Sequence, residues 1–200
     1  KKISFPMYHN LHRKQYLFMK NFRMPLRFYS WCSTRGAHGN LAQKITYCQM
    51  DASHLAFADE TFDAVVSRNL TWNLEDPEQA YKEWMRVLKK GGILLNYDAN
   101  WYHHLFDAEK REEYEKDRQM VTESGLEDHY TCTDIDTMEE IARQVPLSRI
   151  DRPRWDQKIL RELGTIKVSV DTEVWNQVWS EVEKVNYHST SMFGIEAVKA

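Results

Sequence analysis

Apolar and polar positions fall into a repeating order from residue 45 onward. Ile45-Thr46-Tyr47-Cys48-Gln49-Met50 is a short β-rich run that predicts a strand, ended by Asp51 and a polar loop to Asp63. Ala64-Val65-Val66-Ser67 predicts a second, buried strand that empties into Arg68-Asn69. A helix signal follows. Asp76 stands at the N-cap, Pro77 at the first helical position and Gln79 at the capping-box position. Ala80, Trp84, Val87 and Leu88 share one face, Lys89 and Lys90 suit the negative end of the dipole, and Gly91 is expected to end the helix. Ile93 to Tyr97 predicts the next strand, ending at Asp98.

The later pattern alternates in the same way. Residues 105–123 predict a highly charged, solvated helix, and Asp134 or Asp136 caps a shorter one toward Arg143. Pro146 and Pro153 punctuate the chain before a helix from Trp155 to Leu163, stopped by Gly164. Thr165 to Val170 alternates like a strand. Val174, Val178 and Val182, with Trp175 and Trp179, form one helical apolar stripe, read as packing rather than a substrate cage. Phe193 to Val198 predicts a last strand. Strand, helix and strand joined by short connections imply an α/β fold around a parallel sheet. No repeat or low-complexity tract is present. Residues 1–43 resist this treatment: aromatic and basic residues interleave with no period of 2 or 3.6.

Composition sharpens that contrast. Among 200 residues, the first fifty carry nine Lys and Arg and no Asp or Glu, whereas residues 51–200 carry 18 basic and 30 acidic residues. At the later acid frequency, fifty residues without an acid would arise with a chance on the order of one in 10⁵, so the two parts differ in kind. The division expected is an atypical basic segment, 1–43, and an α/β domain, 44–200, with a helical insertion at about 101–150. Three cysteines without CxxC spacing argue against a disulfide framework or zinc finger and point to a reducing, cytoplasmic setting. No run approaches the roughly 20 apolar residues of a membrane span, and no apolar core of a secretory signal follows the basic start.

In open α/β sheets, ligands lie outside the carboxyl ends of the strands. Here those ends supply Asp51, then Ser67-Arg68-Asn69, then Asp98 with Asn100, a polar edge that turn formation alone would also explain. After the third of these strands stand Asp98, His103 and His104, side chains that can accept a proton, and the aromatic Tyr97 and Trp101, which can contact a cation. Adjacent histidines at a helix start point about 100° apart, so they are not expected to act as a pair. The spacing suggests no metal site.

The stretch Gln49 to Ser67, QMDASHLAFADETFDAVVS, and the block Glu83 to Leu95, EWMRVLKKGGILL, together resemble class I S-adenosylmethionine-dependent methyltransferases of the ubiquinone/menaquinone-biosynthesis-like branch. The resemblance covers about residues 44–100 firmly and 155–200 loosely. It implies a Rossmann-like methyltransferase sheet, mostly parallel with an antiparallel last strand. It implies S-adenosylmethionine as cofactor, with Asp51 and Ala52 at the adenine, Ser67 beside the cofactor, and Arg68 and Asn69 lining the floor toward a small-molecule methyl acceptor. Asp98 and His103 are the catalytic candidates.

Ser67-Arg68-Asn69-Leu70 replaces the motif of amino-group methylases and disfavours an adenine or glutamine-amide target. Ala56 and Lys90 stand where the family commonly has proline. The larger departure is N-terminal. The family's DxGxGxG loop and second-strand acid are absent, since no Gly precedes Gly36 and no acid precedes Asp51. Gly36-Ala37-His38-Gly39 lies too close to the third strand to be that loop. Residues 1 to about 40 are therefore expected to replace the first two strands, by truncation, recombination or a shifted frame. Two alternatives stay open: a degenerate methyltransferase-like domain that binds no cofactor, and a basic arm that binds nucleic acid by charge and stacking. The latter lacks any RNA-binding motif, and a nicotinamide-dependent enzyme lacks GxGxxG.

Overall fold

The computed structural model describes residues 17–19, 50–131 and 134–200. The strand expected at 45–50, apart from Met50, and the Gly36–Gly39 segment lie outside those residues. The elements are β1 (Leu17–Met19), β2 (Phe62–Arg68), α1 (Pro77–Val87), β3 (Leu88–Asp98), α2 (Ala108–Ser124), α3 (Ile135–Ala142), α4 (Arg154–Glu162), β4 (Thr165–Asp171), α5 (Trp175–Val178), α6 (Glu181–Asn186) and β5 (Phe193–Lys199). They build one five-stranded sheet in the order β1-β2-β3-β5-β4.

β2 and β3 are parallel, with Ser67 opposite Asn96 and Arg68 opposite Tyr97. β5 runs antiparallel to both β3 and β4, so β2, β3 and β4 share one direction and the last strand opposes them. The sheet is thus mixed, with three strands one way, the expected antiparallel last strand, and helices packed on it. β1, only three residues and antiparallel, flanks β2.

α1 forms where its cap signals stand: Asp76 Oδ1 accepts from the Gln79 amide at 2.9 Å and Pro77 opens the first turn. Its end differs from expectation. The helix stops at Val87, and Leu88, Lys89, Lys90 and Gly91 already belong to β3. Gly91, at φ +71°, supplies a left-handed residue inside the strand rather than a helix stop. Lys89 is held there by Asp63 at 2.5 Å, not by the helix dipole.

The core lies on the sheet face covered by α1 and α4. Val65, Leu94, Ile195 and Ala197 meet Ala80, Tyr81, Trp84, Ile159 and Leu160 there, all buried. Trp84 sits at the centre, and emptying such a site typically costs about 3–5 kcal/mol. The opposite face is more open: Val66 and Leu95 are half-buried and Ile93 exposed.

Two helical expectations need correction. The stripe from Val174 to Val182 is not one helix: α5 ends at Val178, Trp179 is extended, and Ser180 starts α6 with a capping box. Trp175 and Trp179 do pack, in a second apolar cluster with Val174, Tyr187 and Met192. α2 is not simply a solvated face. It buries Tyr114, Asp117 and Val121, and the Asp117 carboxylate accepts from the Ser189 amide at 2.8 Å and hydroxyl at 2.6 Å. Asp134 is the cap of α3, accepting from the Thr137 amide at 3.1 Å.

Candidate functional site

The carboxyl ends of β2 and β3 deliver Ser67, Arg68 and Asn69 beside Asn96, Tyr97 and Asp98. Asn69 turns the chain at φ +51°, a conformation Asn adopts more easily than most residues, while its amide donates to the Tyr97 carbonyl at 2.9 Å. The Ser67 hydroxyl and the Asn69 Oδ1 are buried without a hydrogen-bond partner. Orphaned buried polar atoms are rare in folded proteins, and two of them stand here two positions apart, at the end of β2 and just after it.

Asp51 and Ala52 are held by contacts to α1 and within their own turn, and no contact joins them to Ser67, Arg68 or Asn69 among the described residues. The Ser53 hydroxyl donates to the carbonyl of Asp76, the residue that caps α1. The Ala52 carbonyl accepts from the Trp84 indole at 3.1 Å, which ties this turn to the core. Asp51 is exposed, but its oxygens serve its own turn: one accepts from the Ser53 amide at 2.8 Å and the other lies 3.3 Å from His54 Nδ1. An adenine amine would therefore share a carboxylate already partly used.

Asp98 departs from the expectation that it faces an acceptor. It is fully enclosed, and its Oδ2 accepts from the Trp72 amide at 2.8 Å and from Arg152 Nη1 at 2.9 Å, while Oδ1 accepts from the Ala99 amide at 3.0 Å. Arg152, itself buried, turns its Nη2 and Nε to Asp156, the former at 2.7 Å. Tyr81 donates to Asp156 at 2.6 Å and accepts from Asn96 Nδ2 at 2.8 Å, and Asn96 Oδ1 accepts from Thr71 at 3.2 Å. Asn100 completes the lock by exchanging hydrogen bonds with the main chain of Arg152.

Burial pushes the Asp98 carboxyl above its usual range, and Arg152 with the two local amides pulls against that shift. Burial would lower the Arg152 guanidinium, but Asp98 and Asp156 outweigh it and hold the charge. Burial, then the Asp156 charge, drives the Tyr81 phenol far up, so it stays a donor. This cluster ties the loop after β2, the end of β3 and the start of α4 together. Asp98 in it positions main chain and has no open face from which to take a proton.

His103 and His104 begin a 3₁₀ turn after β3 and meet different partners. His103 Nδ1 lies 3.2 Å from the Ser148 carbonyl. His104 stacks on Tyr114 with ring centres 4.0 Å apart and only 5° between planes. Its Nε2 is buried without a hydrogen-bond partner, 3.6 Å from Glu139. Burial lowers its pKa to about 4, aided by Arg111 and Arg143 against Glu139, so the ring is neutral near pH 7. Among the described residues no group of three or more His, Cys, Asp or Glu could hold a metal ion, and no helix is long and apolar enough to cross a membrane.

The sequence reading named Asp98 and His103 but missed what holds them. Arg152, Asp156, Tyr81 and Ser148 come from segments 50 or more positions from Asp98 or 15 or more from the strand end, and no local pattern marks them. One signal existed: an Asp closing an apolar strand needs a cation or several donors.

Residues 27–96 match a family model described as a methyltransferase domain. The match begins inside the basic N-terminal segment and runs through β2, α1 and most of β3. Over that stretch the chain is similar to methyltransferase domains. It is 51% identical over 51 residues to the ubiquinone/menaquinone biosynthesis C-methyltransferase UbiE of Haemophilus ducreyi, a stretch covering 26% of this chain and 20% of that protein. It is 45% identical over 53 residues to a phosphatidylethanolamine N-methyltransferase of Cereibacter sphaeroides, covering 26% of each. The chain thus aligns with about a fifth to a quarter of the length of these relatives. A solved S-adenosylmethionine-dependent methyltransferase of Thermotoga maritima is similar at 20% identity and a TM-score of 0.46, over 76% of this chain and 63% of that one. A phosphoethanolamine N-methyltransferase 2 of Haemonchus contortus, solved in complex with S-adenosyl-L-methionine, is similar at 16% identity and a TM-score of 0.45, over 74% of this chain and 36% of that one.

Proposed function

We propose that this methyltransferase domain transfers a methyl group from S-adenosylmethionine to a small-molecule nucleophile at the carboxyl edge of β2 and β3. The observation that carries the reading is the pair of orphaned polar atoms, Ser67 Oγ and Asn69 Oδ1, at the strand end that the resemblance assigns to the cofactor. One can donate and both can accept, so they suit a ligand rich in hydroxyl and amino groups. Ser67, Arg68 and Asn69 would hold the cofactor from the strand end, and Asp51 with the main chain of Ala52 would meet its adenine. The cofactor supplies a methyl group on a cationic sulfur. The chain's own residues hold the acceptor in line with it, the largest available contribution to rate. His103 is the proton acceptor in this reading. The setting is cytoplasmic, from the cysteine usage.

A second reading is a domain of the same fold that binds no cofactor. It is favoured by Asp51, whose oxygens are both engaged in its own turn. Isothermal titration with S-adenosylhomocysteine separates the two. Micromolar binding, weakened about tenfold by Asp51→Ala, supports transfer. Silence at millimolar ligand with a folded circular-dichroism spectrum supports the second reading.

A further inference from the structure

β4 is the last strand of the sheet: β5 pairs with one of its sides, and the other side has no strand partner among the described residues. Every second residue of such a strand turns its N–H and C=O away from the sheet. Its side chains are open as well. Ile166 is 71% exposed, more than any other large apolar side chain among the described residues, and Lys167 and Asp171 face water. The register sorts the strand by face. Val168 and Val170 stand beside Ala197 and Ile195, on the face that α1 and α4 cover, and both are half-buried. Lys167, Ser169 and Asp171 stand beside Val198, Glu196 and Gly194 on the opposite face.

A lysine in the middle of an edge strand commonly keeps that edge from pairing. Here the sequence cancels the guard. Outward from Ser169, Val168 mirrors Val170 and Lys167 mirrors Asp171. Two copies of β4 run antiparallel about Ser169 set valine against valine and each lysine against an aspartate. Opposite charges directly across a strand pair stabilise it, and like charges oppose it. The ladder lets only residues of the same parity face each other. Among those registers, only the one centred on Ser169 sets Lys167 opposite Asp171, whereas centring on either of these two sets like charges together. Both side chains keep capacity for the pairing. Lys167 Nζ gives Glu196 one of its three donors, at 3.2 Å, and one Asp171 oxygen accepts from the Glu173 amide at 2.8 Å.

We propose that β4 pairs antiparallel with β4 of a second copy of this chain about a two-fold axis through Ser169, joining the two sheets into one. The pairing does not depend on the cofactor reading. Residues of like parity meet, so like faces become continuous and the valines of both copies lie on the side that α4 covers. Ile166 falls opposite Thr172 of the second copy and loses part of its exposure. One strand pair is a small interface, so association is weak, with half of the chains paired at a concentration on the order of 100 μM.

Sedimentation velocity of the full chain, from about 5 to about 500 μM, is expected to move from the mass of one chain toward that of two. Asp171→Lys sets lysine opposite lysine, and Lys167→Glu sets acid opposite acid, so each alone weakens the dimer about tenfold. Mixed one to one, the two variants face each other with opposite charges at both pairs, and a heterodimer of native strength returns. Circular dichroism establishes that each variant is folded. Hydrogen exchange needs no variant: the outward amides of β4 gain protection as the concentration of the native chain rises. A native chain that stays monomeric throughout overturns the proposal, as do β4 amides left unprotected in a dimer. A dimer that either folded variant leaves intact, or a mixture that associates no better than its components, overturns it too.

Discussion

Two polar regions lie within a few residues of each other on the chain and differ in what their atoms lack. Around Asp98, Arg152 and Asp156 the carboxylates and the guanidinium are enclosed and partnered. Around His103 and His104, and at Ser67 and Asn69, polar atoms are buried or half-buried with capacity left over. The first arrangement is a scaffold: it has nothing to offer a ligand and breaks when one partner is removed. The second is costly in the free protein and is relieved by a ligand. Satisfaction, more than residue type, separates the two, since an Asp and a His were equal candidates by sequence.

The comparison breaks most visibly at Arg152. Arg152→Ala leaves two enclosed carboxylates without their cation and should cost about 3–5 kcal/mol, read from urea unfolding. A loss under about 1 kcal/mol would show that the cluster is not the scaffold.

Acid tests the other region. Unfolded, His104 takes a proton near its ordinary pKa of about 6.5; folded, it does so only at about 4. Between those values the unfolded chain binds more protons, so stability falls as pH drops from 6.5 toward 4. The loss should reach the order of 3 kcal/mol and be abolished in His104→Phe, which keeps the stack on Tyr114. An equally acid-sensitive variant would clear His104 of that role.

Tyr81→Phe removes one donor to Asp156 and one acceptor for Asn96, and about 2 kcal/mol of stability should go with it. Ser67→Ala gives the smallest effect on folding and the sharpest contrast. Its hydroxyl has no partner to lose, so the melting temperature should hold or rise slightly, while S-adenosylhomocysteine binding weakens. A clear drop in melting temperature would mean that the hydroxyl is satisfied after all.

Much of the fold was legible because its signals are local. Asp76-Pro77 starts α1, Gly164 at φ +78° follows α4, and alternation marks β4 and β5. The misreading at Gly91 has a physical reason. Leu88 is a good residue for either element, and register with Phe62 in the neighbouring strand claims it for β3. Likewise Trp179 continues a helical stripe by spacing, yet an extended residue there lets it pack against Tyr187 with ring centres 5.7 Å apart.

The sequence alone determined the order of most strands and helices from residue 62 onward and the strand ends where polar residues collect, because periodicity and caps are properties of neighbouring residues. Only the tertiary structure decided which of those polar residues are occupied. Asp98 meets Arg152 54 positions away and His103 meets Ser148 45 away. A hydrogen bond depends on distance in space, and nothing in the spacing along the chain reports it.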